Sequence, residues 1–192
     1  SLTGETTLVV STGKDYTTTK PNRNDVYDDD QSRLTDGSKG NADAGNAKYA
    51  GWNSNDKSKP NVVEVTIDLG EATATNSYTV YMAGGNWGIN LPKGCISLQV
   101  YASDDNESFD LVATAAEDDM IHTGGTESND SWSTYTITAH GKKAVTARYV
   151  KIVISHKAFG NGFMFFAVIL VAVVAIWNII ERKKANKTEI AE

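Results

Sequence analysis

The stretch Ala83-Gly84-Gly85-Asn86-Trp87-Gly88-Ile89-Asn90 holds the residue types best suited to recognising a ligand. A tryptophan flanked by glycines is not packed by its own chain neighbours, so its ring is available as a platform. Sugar rings lay apolar C–H faces on aromatic rings, and their hydroxyls need amide, carboxylate or guanidinium partners. Asn86 and Asn90 supply amides beside Trp87. Trp52 offers the same chemistry. For both tryptophans the competing expectation is a ring that closes a hydrophobic core. Tyr27, Arg33 and His122 are the further rim candidates.

Ion binding has one candidate loop, Arg33–Asn41 (RLTDGSKGN). Calcium takes six to eight oxygens, many of them carbonyls from a tight loop. Asp36 supplies a carboxylate there, and Arg33 and Ser38 flank it in the proposed metal set. The neighbouring Asp28-Asp29-Asp30 run lacks EF-hand spacing and reads first as a solvated acidic loop. Catalysis is not expected. The chain has no GxSxG, HExxH, phosphate-loop or dinucleotide fingerprint, and its three histidines, His122, His140 and His156, are scattered.

The elements that must position these residues are strands. Thr7–Ser11, Val62–Leu69, Tyr78–Met82, Ile96–Ala102, Trp132–Thr138 and Arg148–Ile154 are short β-rich runs separated by polar, glycine-containing segments. In Val62–Leu69, Val63, Val65, Ile67 and Leu69 share one face, opposite Glu64, Thr66 and Asp68. This period of two predicts antiparallel sheets with one solvated face, and several such strands in series predict a sandwich or barrel. Residues 12–61 and 116–131 are polar inserts with little apolar periodicity, of the kind that form binding loops. The net charge of −6 argues against nucleic acid, which requires a basic face. A single cysteine, Cys95, rules out an internal disulfide framework.

The C-terminal region poses a different problem. From Phe163 to Ile180 the only polar side chain is Asn178. Eighteen such residues suffice for a membrane-crossing helix. Trp177 stands near one end, and Arg182, Lys183 and Lys184 follow, as expected on a cytoplasmic flank. A buried final strand is the competing reading, because strands covered on both faces are also continuously apolar. The run is about three times a typical strand of 5–6 residues, which favours the helix. The expected organisation is therefore a sandwich over 1–160, a transmembrane helix over 161–181 and a short basic tail over 182–192.

Leu34-Thr35-Asp36-Gly37, Gly51-Trp52, Val65-Thr66-Ile67-Asp68-Leu69-Gly70, Gln99-Val100-Tyr101-Ala102-Ser103-Asp104-Asp105 and Ala147-Arg148-Tyr149-Val150-Lys151-Ile152 occur in that order. This series resembles the discoidin, or coagulation factor 5/8 type C, domain over about residues 5–166. The resemblance implies an all-β jelly-roll sandwich of the galactose-binding-like type, often a carbohydrate-binding module. It also implies a structural Ca2+ held by Asp36 and by a carboxylate on the last strand. There this chain departs from the family pattern, carrying Ala167, Val168 and Leu170. The implied role is a non-enzymatic module that reads a glycan or cell-surface polysaccharide through loops at one end. The apolar run would hold it in membrane lipid with the sandwich outside the cell. Two alternatives stand beside this: an assembly subunit with protein partners in a surface complex, and an accessory module of a larger secreted glycoside hydrolase.

Overall fold

The computed structural model describes residues 3–19, 29, 31–40, 49–52, 61–85, 96–128, 131–156 and 164–178. These residues form β1 (Thr3–Val9), β2 (Tyr16–Thr18), β3 (Ala50–Trp52), β4 (Asn61–Gly84), β5 (Ile96–Ser103), β6 (Asp110–Ala115), β7 (Met120–Gly125), β8 (Ser133–His156) and β9 (Met164–Asn178). A single 3-10 turn, Glu117–Asp119, precedes β7.

Two pairs of expected strands merge. Val62–Leu69 and Tyr78–Met82 are successive parts of β4, and Trp132–Thr138 and Arg148–Ile154 are successive parts of β8. β4 and β8 pair antiparallel from Asn61↔His156 to Asp68↔Tyr149, shift register around residues 69–76, and resume from Ser77↔His140 to Gly84↔Ser133. At that irregularity each strand passes from one layer of the sandwich to the other. Gly70, at φ +85, begins the corner in β4, a conformation side-chain-bearing residues resist.

One layer contains β2, the first part of β4, the second part of β8, β5 and β6. The other contains β7, the first part of β8, the second part of β4 and β9, with β1 and β3 beyond β9. Alternation supplies the core from both. Val63, Val65, Ile67, Val150, Ile152, Leu98 and Val100 are buried with Tyr78, Val80, Ile137, Ile169 and Val171 in one cluster. Each large aliphatic side chain so buried contributes about 1.5–3 kcal/mol.

The C-terminal apolar run corrects the expectation of a transmembrane helix over 161–181. Met164–Asn178 is strand, and no helix among the described residues is long and apolar enough to cross a membrane. β9 is long because it serves two ladders in succession. Phe165–Ala172 pairs with β4 between Ala83 and Ser77, and Met164–Phe166 also pairs with β3. Ala172–Asn178 pairs with β1. Ile169 and Val171 face the core while Leu170, on the other face, is half-buried. Burial on both faces makes a strand as continuously apolar as a membrane span. The lipid contact expected of residues 163–180 therefore has a different explanation over 164–178, where neighbouring strands satisfy the backbone.

Side chains extend these ladders where main chain does not. The fully buried Ser11 hydroxyl donates to the Ile169 carbonyl (3.1 Å) and accepts from Val171 N–H (2.9 Å). Beyond the last β4–β9 pair, the Asn76 amide donates to the Val174 carbonyl (3.0 Å) and accepts from Val174 N–H (2.7 Å). It replaces a peptide unit at the register shift.

The motif residues of the first layer also meet. Arg148 donates from Nε and Nη2 to the two carboxylate oxygens of Asp68, both at 2.9 Å, and Gly70 N–H donates to Asp68 Oδ1 (2.8 Å). The Arg148 guanidinium holds the Asp68 carboxyl below the usual carboxylate range, helped by the Gly70 amide. This ion pair ties the first part of β4 to the second part of β8.

Removing the Ser11 hydroxyl leaves Val171 N–H buried without its acceptor. Ser11→Ala is expected to cost about 1–3 kcal/mol in urea unfolding, with an unchanged denaturant slope. The Asp68–Arg148 pair has a pH signature. Because the folded carboxyl is depressed, its contribution is complete above the ordinary Asp value near 4 and fades as pH falls through the lower folded value. Asp68→Asn should lower the neutral melting temperature slightly, the pair being largely solvated, and the gap from the parent should close on acidification.

Candidate ligand site at the loop end of the sandwich

Strand directions decide which loops share an end. β4 finishes at Gly84 opposite Ser133, where β8 begins, and Gly125 of β7 pairs with the same serine. In the other layer Asn61, His156 and Ile96 lie in register at this end. The described strand ends Trp52, Gly84, Gly125, Ser133, His156, Ile96, Asn61 and Met164 thus all lie here.

A cleft of about 300 Å³ opens at this end, lined by Lys39, Tyr81, Thr123, Thr134 and Tyr135. Tyr81 alternates away from Val80 and Met82, so its ring is directed out of the core. The Lys39 ammonium lies 5.1 Å from the centre of that ring, within cation–π range. Gly40, the next residue, lies against Tyr49. Its φ is +70, and a Cβ there would stand 2.6 Å from the buried Tyr49 ring.

Polar groups around the cleft are held in place. The Thr123 hydroxyl donates to Thr134 Oγ1 (2.9 Å), and the Ser133 hydroxyl donates to the Thr126 carbonyl. The Tyr135 hydroxyl donates to Glu127 Oε1 (3.1 Å). Burial, reinforced by Glu127, pushes its pKa up to about 12. It therefore remains a neutral donor at physiological pH. The exposed His122 ring rests on Tyr135, centroids 5.2 Å apart and tilted by 52°. Tyr81, Thr123, Thr134, Lys39, His122 and Glu127 together offer an aromatic face, two hydroxyls, an ammonium, an imidazole and a carboxylate.

The residues expected from sequence divide into three groups. Trp87, Asn86, Asn90 and Tyr27 lie outside the described residues. His122 is at the cleft end. Trp52, by contrast, is a core residue in β3, 1% exposed, and its ring is not offered to a ligand. It pairs with β9 across Met164. Arg33 is half-buried, and its Nη1 donates to the Tyr49 carbonyl (2.9 Å), a contact that fastens its loop.

The Asp36 loop is joined to the sheet by main-chain bonds. Ile169 N–H donates to the Leu34 carbonyl and Gly13 N–H to the Thr35 carbonyl, both at 2.8 Å. Asp36 is exposed, and its Oδ1 accepts Ser38 N–H (2.6 Å) around Gly37, whose φ is +81. The residues present fit a calcium ion poorly. Asp36 is the only carboxylate of its loop, and β9, to which the loop is bonded, has none along its length. Among the described residues no three His, Cys, Asp or Glu side chains gather to hold a metal. Asp29 of the acidic run accepts from the Tyr16 hydroxyl (2.5 Å) and Gln31 N–H (3.1 Å), the latter within a local turn.

Sequence reasoning missed Lys39, Tyr81, Thr123, Thr134 and Tyr135. The only available signal was alternation in Tyr78–Met82, which directs Tyr81 away from its buried neighbours. Nothing local links Lys39 to that ring, because their proximity depends on how the Arg33–Gly40 loop lies over β4.

The fold agrees with the comparisons. The chain matches the F5/8 type C domain over residues 15–167 and belongs to that family. No curated protein matches it as a relative. Among solved structures it is similar to the family 32 CBM of NanJ from Clostridium perfringens, in complex with galactose (18% identity, TM-score 0.52, 88% of this chain and 99% of that one). It is also similar to chitosan-binding module 1, derived from a chitosanase/glucanase of Paenibacillus sp. IK-5 (16% identity, TM-score 0.51, 85% and 98%). A third is a C. perfringens module in complex with GalNAc-β-1,3-galactose (16% identity, TM-score 0.50, 85% and 99%). At these identities the likeness is one of fold.

The donor count around Asp36 makes a prediction. Adding millimolar calcium to chelator-treated protein should shift the melting temperature by less than about 2 °C, well below what occupancy at a hundred times Kd would produce. A rise of many degrees would show that the loop gathers further oxygens.

Proposed function

We propose that this chain is a carbohydrate-binding module that reads a glycan at the loop end of the sandwich. The observation that carries the proposal is the Tyr81 cleft, set in an F5/8 type C fold. A sugar C–H face would lie over the Tyr81 ring in the place Lys39 occupies. The Thr123 and Thr134 hydroxyls, Lys39 and His122 would meet its hydroxyls. Trp87, Asn86 and Asn90, which follow directly from Gly85 at this end, would complete the site as platform and amide partners. The solved modules of similar fold, bound to galactose and to GalNAc-β-1,3-galactose or named for chitosan, support a saccharide as the ligand class.

The setting we propose is extracellular, as an accessory module of a larger secreted glycoside hydrolase. The placement of residues 164–178 in the sheet favours this over membrane anchoring through that segment. A solved module of similar fold was itself derived from a chitosanase/glucanase.

A glycan array with the full chain tests the reading. Binding to neutral saccharides containing galactose, N-acetylgalactosamine or glucosamine is expected. Tyr81→Ala and Trp87→Ala should each weaken it by roughly tenfold, the scale of one lost aromatic contact. Absence of binding to every saccharide by a folded protein would overturn the reading.

A further inference from the structure

The corner at the opposite end of the sandwich holds a second, larger groove, of about 590 Å³. One wall is β6, which among the described residues pairs only with β5. The other is the arch of β8 between its two layers, where residues 141–144 leave the ladder with β4. Leu111, 54% exposed, and the half-buried Val112 give the groove an apolar floor. His140, Lys142 and Lys143 stand along the arch, and Asp110 lies at the start of β6.

The arch is closely folded. A Cβ on Gly141 would stand 3.0 Å from the Lys143 carbonyl oxygen and 3.6 Å from that of Val112. The lysines are therefore carried on a turn set against β6. Both are exposed, and neither has a carboxylate partner among the described residues. Two adjacent unpaired ammoniums, an imidazole and an apolar floor suit an amphipathic anion. Asp110 narrows the choice, because its acceptor oxygens call for donors on the same ligand. Sugar hydroxyls are such donors, whereas the side chains of an acidic peptide at neutral pH would only repel it.

We propose that this groove is a second binding site, distinct from the Tyr81 cleft, for a uronate-bearing polysaccharide. Lys142 and Lys143 pair with sugar carboxylates, Asp110 accepts from sugar hydroxyls, and Leu111 and Val112 lie under the ring. Its volume lies in the range of small-ligand sites. With two sites at opposite ends, one module could join a neutral glycan to an acidic one.

The test uses the full chain, polygalacturonate and its fully methyl-esterified form, which keeps the hydroxyls and removes the charge. Affinity electrophoresis and calorimetry should show binding to polygalacturonate that weakens with salt, and at least tenfold weaker binding to the ester. The Lys142→Ala/Lys143→Ala variant should lose at least tenfold in affinity for the acid polymer. Its binding of any neutral saccharide at the Tyr81 cleft should be unchanged, which separates this proposal from the first. A Lys142→Arg/Lys143→Arg variant, which keeps the charge, should retain binding. Equal binding of polygalacturonate by the parent and the alanine variant would overturn the proposal. So would poly-glutamate bound as tightly as polygalacturonate, or no binding of polygalacturonate at low salt.

Discussion

The ladder of β9 is the interaction on which the rest of the molecule depends. Along its first half it is hydrogen-bonded to β4 on one side and, on the other, to β3, to the Leu34 carbonyl, which accepts from Ile169 N–H, and to the Ser11 hydroxyl. A buried peptide group without a partner is expensive, so each of these contacts is required once the segment leaves water. The Arg33–Gly40 loop takes its position from the same ladder, through Leu34. Lys39 stands over Tyr81 only because that loop is fixed to β9. The cleft is thus an indirect product of backbone pairing at the far C-terminal part of the sequence.

The corner where β4 and β8 change layers is the second organising constraint. Two strands of 24 residues bend together, and the bend lets one continuous pair contribute to both sides of the core. Asp68, Gly70 and Arg148 secure one side of the bend, and Asn76 secures the other by completing the β9 ladder. The arch that carries Lys142 and Lys143 is the excess chain of β8 at this corner. Strand ends and loops therefore gather at one end, and the bent corner with its basic groove lies at the other. The two ends have different chemistry because they have different structural origins.

Metal binding illustrates how a local motif can keep its shape while its donors change. Leu34-Thr35-Asp36-Gly37 forms its turn through Asp36 and Ser38, and its carbonyls are received by β9 and Gly13. Protein donors hold the loop in place, while the strand beside it carries aliphatic residues where a second carboxylate would be needed.

By itself the sequence determined the class of fold, because alternation of apolar residues states directly which face of a strand is covered. Val63, Val65, Ile67 and Leu69, and likewise Val150, Ile152 and Ile154, are buried as their spacing requires. Arg148 and Asp68 lie in separate motifs of the sequence, and their pairing depends on the register of β4 against β8. Tertiary structure alone decided the fate of residues 164–178. Continuous apolarity reports burial on all sides but not the burying solvent, and lipid and two flanking strands leave the same trace in composition. Tertiary structure also decided that Trp52 is core and that Lys39 meets Tyr81. Those facts depend on pairings between residues far apart in the chain, and no local pattern encodes which distant strand end a loop will reach.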